Sequence, residues 1–253
     1  MTVTAMIAIA SLGLTAGIMI GCIGIGGVVL VPALTYLGGI PIQTAIAAAM
    51  MAYMLSGIWA TVVFAREQVE QKALAIWLWA GAMPAALAGA WAANQLHPLF
   101  LELVIGLLIL FSGFHSFRQR VQVEQQNRQF GGPMMAALGS ATGFASSMTG
   151  TGGPLVLVPM LMALRVPVLT AIRLGQSAQF PIALLATFGN FLYGDPDIIL
   201  GSILMLGVTV GSMIGTRLSQ ILPRRVLSRI VSLALIATAI AIFIKIIQHV
   251  SAP

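Results

Sequence analysis

Gly150-Thr151-Gly152-Gly153-Pro154-Leu155-Val156-Leu157-Val158-Pro159 and Gly24-Ile25-Gly26-Gly27-Val28-Val29-Leu30-Val31-Pro32 are two versions of one stretch, a glycine cluster opening into an apolar run with a proline inside it. Laying Gly26 on Gly153 also lays Val31 on Val158 and Pro32 on Pro159. After a one-residue deletion, Thr44 falls on Thr170, Gly81 on Gly207 and Gly89 on Gly215. Self-similarity at a fixed spacing marks an internal duplication, so the fold is expected to be one unit used twice.

Composition names the solvent. Hydrophobic residues make up 59% of the chain and charged ones 7%, and the mean hydropathy is +1.02, values that suit a bilayer and not water. The net charge of +6 therefore reads first as a set of topology markers, and nucleic acid is not an expected partner. One cysteine, Cys22, excludes an internal disulfide, a Cys-based zinc site and a redox pair. The N-terminus lacks the charged region of a secretory signal, and none is expected.

Outward from the glycines, the first copy has an apolar arm from Thr4 to Ile20, the cluster Gly21 to Gly27, and a second arm from Val28 to Leu37. At about 1.5 Å per residue the second arm reaches roughly 15 Å, half of a hydrocarbon core about 30 Å thick. In the second copy, Met134 to Met148 and Leu155 to Leu164 reach about 22 Å and 15 Å. A re-entrant hairpin with its glycine tip near mid-membrane is the economical reading; two full but distorted spans are the alternative. Three ordinary spans follow each hairpin, at 42–65, 73–93 and 99–117, then at 168–190, 198–219 and 229–247. The expected fold is an all-α polytopic membrane protein of two repeats, 1–117 and 133–253, with eight hydrophobic helical segments. Each repeat is a re-entrant, or short two-helix, glycine-tipped hairpin plus three transmembrane helices. Between them, 118–132 carries Arg118, Arg120, Glu124 and Arg128 and reads as a cytoplasmic linker.

The positive-inside rule orients each half separately. Arg66 and Lys72 flank the first interspan loop of the first half, whereas Asn94 to Pro98 has no Lys or Arg. In the second half Phe191 to Asp197 has none, and Arg224, Arg225 and Arg229 fall at the following loop. The order is reversed, so the repeats are expected to be inverted, with both termini outside. Arg118, Arg120, Arg128, Arg165, Arg173 and Arg217 also fall on or toward the cytoplasmic side, and Lys245 alone dissents.

Inverted repeats with broken helices place equivalent sites at mid-depth, as transporters do. Each second arm starts at a glycine tip, where the first N–H groups lack intrahelical partners and the dipole presents partial positive charge. That arrangement suits an anion. Gly24, Gly26, Gly27, Gly150, Thr151, Gly152 and Gly153 are the candidate binding residues, and Pro154 suits a first helical turn. The competing reading is that the glycines serve close helix packing.

The two glycine motifs, each running into Val-Pro-x-Leu (Val31-Pro32-Ala33-Leu34 and Val158-Pro159-Met160-Leu161), resemble the paired signatures of the TauE/SafE sulfite exporter family. The resemblance covers nearly the whole chain. It implies a bacterial inner-membrane protein that moves a small anion of the sulfite, sulfonate or sulfoacetate kind, without identifying the anion. Where that family has a Thr-Ser pair early in the span after each hairpin, this chain has Met50-Met51 and Gln176-Ser177.

Arg173, Gln176 and Ser177 stand at i, i+3 and i+4 on one helix face, opposite Ala47, Met50 and Met51 in the first half. Arg173 either binds substrate or snorkels to the cytoplasmic surface, and Gln179 points off that face toward a neighbouring helix. Cys22 reads as a packing residue; Ser146, Ser147, Thr149 and Thr151 either donate to an anion or bond back to their own helix. Ala85-x-x-x-Gly89 and Gly211-x-x-x-Gly215 are small-residue packing faces. No metal spacing joins His97, His115 and His249, and no cofactor is implied. Glu67, Glu70, Glu102, Glu124, Asp195 and Asp197 all fall in loops or near interfaces. An anion leaving down an inside-negative potential gains about 2.3 kcal/mol per 100 mV without a coupling ion. Export of a small anion is therefore favoured over coupled import; an anion channel is the close rival, and a non-transporting subunit leaves the duplicated tips unexplained. An enzyme is disfavoured because no Ser/His, paired-Asp or His-Glu-x-x-His constellation exists. Monomer and homo-oligomer both remain open.

Overall fold

The structure is a computed structural model that describes residues 3–24, 27–67, 72–118 and 131–221. Gly26, nearly all of the 118–132 linker and the expected span at 229–247 lie outside the described residues. Every regular element among the described residues is a helix: α1 (Val3–Ile23), α2 (Gly27–Tyr36), α3 (Ile42–Glu67), α4 (Lys72–Gln95), α5 (Pro98–Arg118), α6 (Gly132–Thr149), α7 (Gly153–Ala163), α8 (Val168–Tyr193) and α9 (Ile198–Ile221). Four of these, α1, α3, α4 and α9, are long and apolar enough to cross a membrane. The all-helical polytopic architecture stands.

The hairpin arms differ from expectation in one respect. α1 has 21 residues and α6 has 18, so at about 1.5 Å per residue they reach roughly 32 Å and 27 Å. The returning arms α2 and α7 have 10 and 11 residues, about 15–17 Å. Each hairpin is a long leg in and a short leg back. In α1 the added length runs through Gly21, which the sequence presents as the start of the break. It stays helical because its missing side chain serves a contact: a Cβ there would run into the backbone of Ser212 and Thr216 on α9.

The same device recurs along both long arms. α1 lies on α9 with Gly13 against Leu204, Gly17 against Val208 and Gly21 against Ser212, while Gly207, Gly211 and Gly215 meet Ala10, Leu14 and Ile18 in return. α6 lies on α4 with Gly139 and Gly143 against Leu78 and Ala82, and with Gly81 and Gly89 against Ala136 and Phe144. Bare backbone on both partners lets helices approach closely, the contact that replaces the hydrophobic effect in lipid. Rising residue numbers on one helix meet rising numbers on the other, so each pair runs in the same direction. These two pairs form the most extensive helix contacts, followed by α3 with α8, α4 with α8 and α3 with α9. Exchanging the halves of the chain carries this set of contacts onto itself. α3 and α8, which are counterparts in the duplication, cross in opposite directions: Gly57 meets Phe180, and four residues later Thr61 donates to the Ser177 carbonyl.

Gly17→Leu should loosen α1 from α9, because even a Cβ would stand 2.8 Å from the Val208 Cα, and overpacking of this kind costs about 1–3 kcal/mol. Gly131→Ala, whose new methyl would meet nothing nearer than Pro133 Cδ at 3.8 Å, should be close to neutral. Unfolding midpoints of the two purified variants in one detergent check the contrast.

Candidate functional site

The glycines at the tips are turn residues. α6 ends at Gly150, whose φ of 68° and ψ of 20° are left-handed and whose N–H returns to the Ser146 carbonyl. Gly152, at φ 77°, then redirects the chain into α7 with Pro154 in its first turn. Gly24, at φ 82°, ends α1 in the same way. Side chains rarely adopt such angles, which is why glycine occupies them.

The tips lie side by side. Gly27 sits against the Thr151 carbonyl, Gly24 against Pro154, Ile172 and Gln176, and Gly150 against Val31 and Ile46. Between them stands Tyr53 of α3, fully buried, whose hydroxyl donates toward the Gly27 carbonyl at 2.9 Å and the Gly150 carbonyl at 3.2 Å. Its sequence carried no signal beyond an aromatic residue in an apolar helix. Of the expected binding set, Gly24, Gly27, Gly150, Thr151, Gly152, Gly153 and Gln176 come together here, and Gly26 falls outside the described residues. Gly153 packs on α8, where a Cβ would meet the Gly175 carbonyl at 3.1 Å.

The hydroxyls of this region hold the turns. Ser146 donates to the Gly152 carbonyl at 3.0 Å and Ser147 to the Gly143 carbonyl at 2.8 Å. Thr149 donates to the Ala145 carbonyl at 2.7 Å. A hydroxyl has one proton, so the 2.9 Å contact between Thr149 and Thr151 has Thr151 as donor. Ser146, Ser147 and Thr149 thus bond to main-chain carbonyls, and Thr151 to the Thr149 side chain. Ser177 behaves likewise, donating to the Leu174 carbonyl at 2.8 Å. Cys22 reaches the Gly215 carbonyl at 3.3 Å, a contact between α1 and α9 that fits its packing role. Gln179 bonds to Ser56 of α3 at 3.3 Å, as its position off the Arg173 face implies.

Beside the end of α1 lies a polar cavity of about 30 Å³, lined by Ser56 and Trp59 of α3, Gln176 of α8, and Ser212 and Thr216 of α9, with Ile20 and Gly21 at one wall. A void of this size admits one or two waters. Gln176 donates to the Ile20 carbonyl at 3.3 Å, which also accepts the Gly24 N–H at 2.7 Å. The oxygen that would repel an anion at the end of α1 is thus doubly covered. No carboxylate lines the cavity. Arg173, half-buried, stands one turn before Gln176 on α8 and is not part of this lining. Sequence reasoning missed Ser56, Trp59, Ser212 and Thr216. The signal that finds them is the difference between halves: their duplication counterparts are Ile182, Leu185, Ala86 and Ala90, and that of Gln176 is Met50. Among the described residues, no group of three His, Cys, Asp or Glu side chains could hold a metal ion.

No curated protein and no solved structure matches the chain. The family model described as sulfite exporter TauE/SafE matches residues 9–242, nearly the whole length; the two glycine-turned hairpins and their helical frame therefore belong to a member of the TauE/SafE sulfite exporter family.

Proposed function

We propose that this protein exports a small sulfur-containing oxyanion or organic anion, such as sulfite or a sulfonate, across a bacterial inner membrane. Membership of a family of sulfite exporters supports membrane transport of sulfur anions in general. The observation that carries the finer reading is the convergence of two glycine-turned half-helices beside one polar, carboxylate-free cavity. The N-terminal N–H groups of α2 and α7 supply partial positive charge at the tips, and Gln176, which lines the cavity, lies beside Gly24 of the first tip. Gln176 has a second amide N–H beyond the one given to Ile20. Arg173, one turn nearer the start of α8, receives the anion from the cytoplasm with its planar pair of donors.

The repeats 1–117 and 133–253 are inverted in this reading, the 118–132 linker is cytoplasmic, and both termini lie outside. The opposite crossing of the counterpart helices α3 and α8 supports it. So do the arginines, which fall toward one side. Alternating access then follows from rocking one repeat against the other about the paired tips. The partners are the anion and the bilayer.

Cysteines introduced at Gln95 and Asp195 should label only from outside, and ones at Asn127 and Pro223 only from the cytoplasm. Labelling of Gln95 and Pro223 from the same side contradicts the inverted arrangement. In proteoliposomes that take up sulfite with saturation and counterflow, Gln176→Met, which copies the first-half residue, should reduce flux with insertion intact. Arg173→Lys should weaken apparent affinity about ten- to hundredfold, the equivalent of a lost charge-assisted hydrogen bond of roughly 1.5–3 kcal/mol. Wild-type affinity in Arg173→Lys removes Arg173 from the site and leaves the tips and Gln176.

A further inference from the structure

A second small cavity, of about 10 Å³, lies between the end of α2 and α5, away from the polar cavity beside the tips, and its lining includes Thr35, Tyr36 and Glu102. A space of this size holds one water-sized particle. Glu102 supplies the only carboxylate, and the Tyr36 hydroxyl is hydrogen-bonded to it. The Thr35 hydroxyl is cut off from water and has no hydrogen-bond partner. Thr142 and Thr187 are also buried without a partner, whereas Thr15, Thr149, Thr209 and Thr216 return their hydroxyls to a carbonyl four residues back; of the three unpartnered threonines, Thr35 is the one that lines a cavity with a carboxylate. A buried oxygen without a partner is costly, and its place beside a carboxylate points to a ligand that oxygen atoms satisfy. The remaining lining of Val31, Pro32, Ile42 and Ile105 is apolar and contains no cationic side chain. The C-terminal end of α2 adds the negative pole of a helix dipole.

We propose that Glu102, Tyr36 and Thr35 form a site for a monovalent cation, with sodium the best fit. Oxygen ligands alone select hard cations, and a divalent ion is usually held by more than one carboxylate. A proton needs neither the cavity nor a second hydroxyl oxygen. The small void favours sodium over the larger potassium ion. α2 is the returning arm of the first hairpin, and this cavity lies at the opposite end of it from the Gly24 turn. Sodium at this place fixes the far end of the arm whose glycine tip faces the anion, so cation binding and anion transport share one element.

The test uses the full-length purified protein in detergent with no transported anion present, so its outcome is independent of the anion reading. Unfolding midpoints are measured in sodium, potassium and choline chloride at matched ionic strength. Sodium should raise the midpoint saturably, and potassium and choline should not. Glu102→Gln should raise the half-saturating sodium concentration about tenfold or more, as expected for losing a charged ligand. Thr35→Val, isosteric and without the hydroxyl, should raise it severalfold while keeping the wild-type midpoint in choline. Equal midpoints in the three salts, or an unchanged sodium response in either variant, overturn the site. If Glu102→Gln does not fold, Thr35→Val carries the test alone, and a cavity filled only by water gives the equal-midpoint result.

Discussion

A helix that stops inside hydrocarbon leaves backbone carbonyls and amides with no water to satisfy them, and each one costs several kcal/mol unless the protein supplies a partner. Glycine turns buried among packed helices face the same demand, and both hairpins of this protein have one. In the second, the N–H groups of Gly150 and Thr151 return to the Ser146 carbonyl, and the Ser146 hydroxyl covers the Gly152 carbonyl. In the first, Gly24 and Gln176 cover Ile20. Tyr53 then serves one carbonyl from each tip. The polar residues of the central region thus satisfy the backbone groups that the broken helices leave open.

The frame around the tips answers a different need. Lipid offers no hydrophobic drive between helices, so the long arms are fastened to α9 and α4 by backbone contact at glycines. These fastenings are equivalent in the two halves, whereas the polar cavity is not. Ser56, Gln176, Ser212 and Thr216 line it, and their counterparts Ile182, Met50, Ala86 and Ala90 are apolar. The glycine contacts recur in both halves, and the hydrogen-bonding surface occurs at one of two corresponding places.

Much of this was legible in the sequence because the signals were long or repeated. Apolar stretches located α3, α4, α5, α8 and α9, and the doubled glycine strings located both turns. Arm lengths were misjudged because a glycine has two uses that look the same on paper. Gly21 serves a flush contact with Ser212, whereas Gly24 serves a positive φ. Tyr53 was invisible for a related reason: a single hydroxyl in an apolar helix has no periodicity, and its worth depends on two carbonyls distant in the chain. The serines and threonines carried too little information, since a hydroxyl that binds a ligand and one that binds its own helix have the same spelling.

Tyr53 has one hydroxyl proton and two carbonyl acceptors, at 2.9 and 3.2 Å, so neither hairpin owns the bond. Displacing one tip lets the proton settle wholly on the other, and the phenol is never stranded. A joint of this kind holds both tips to one phenol on α3. Phenylalanine at the same place would keep the shape and the buried area but leave a dry surface on which two carbonyl dipoles grate against a ring. The single Tyr53 oxygen thus ties both hairpins to α3 through one proton.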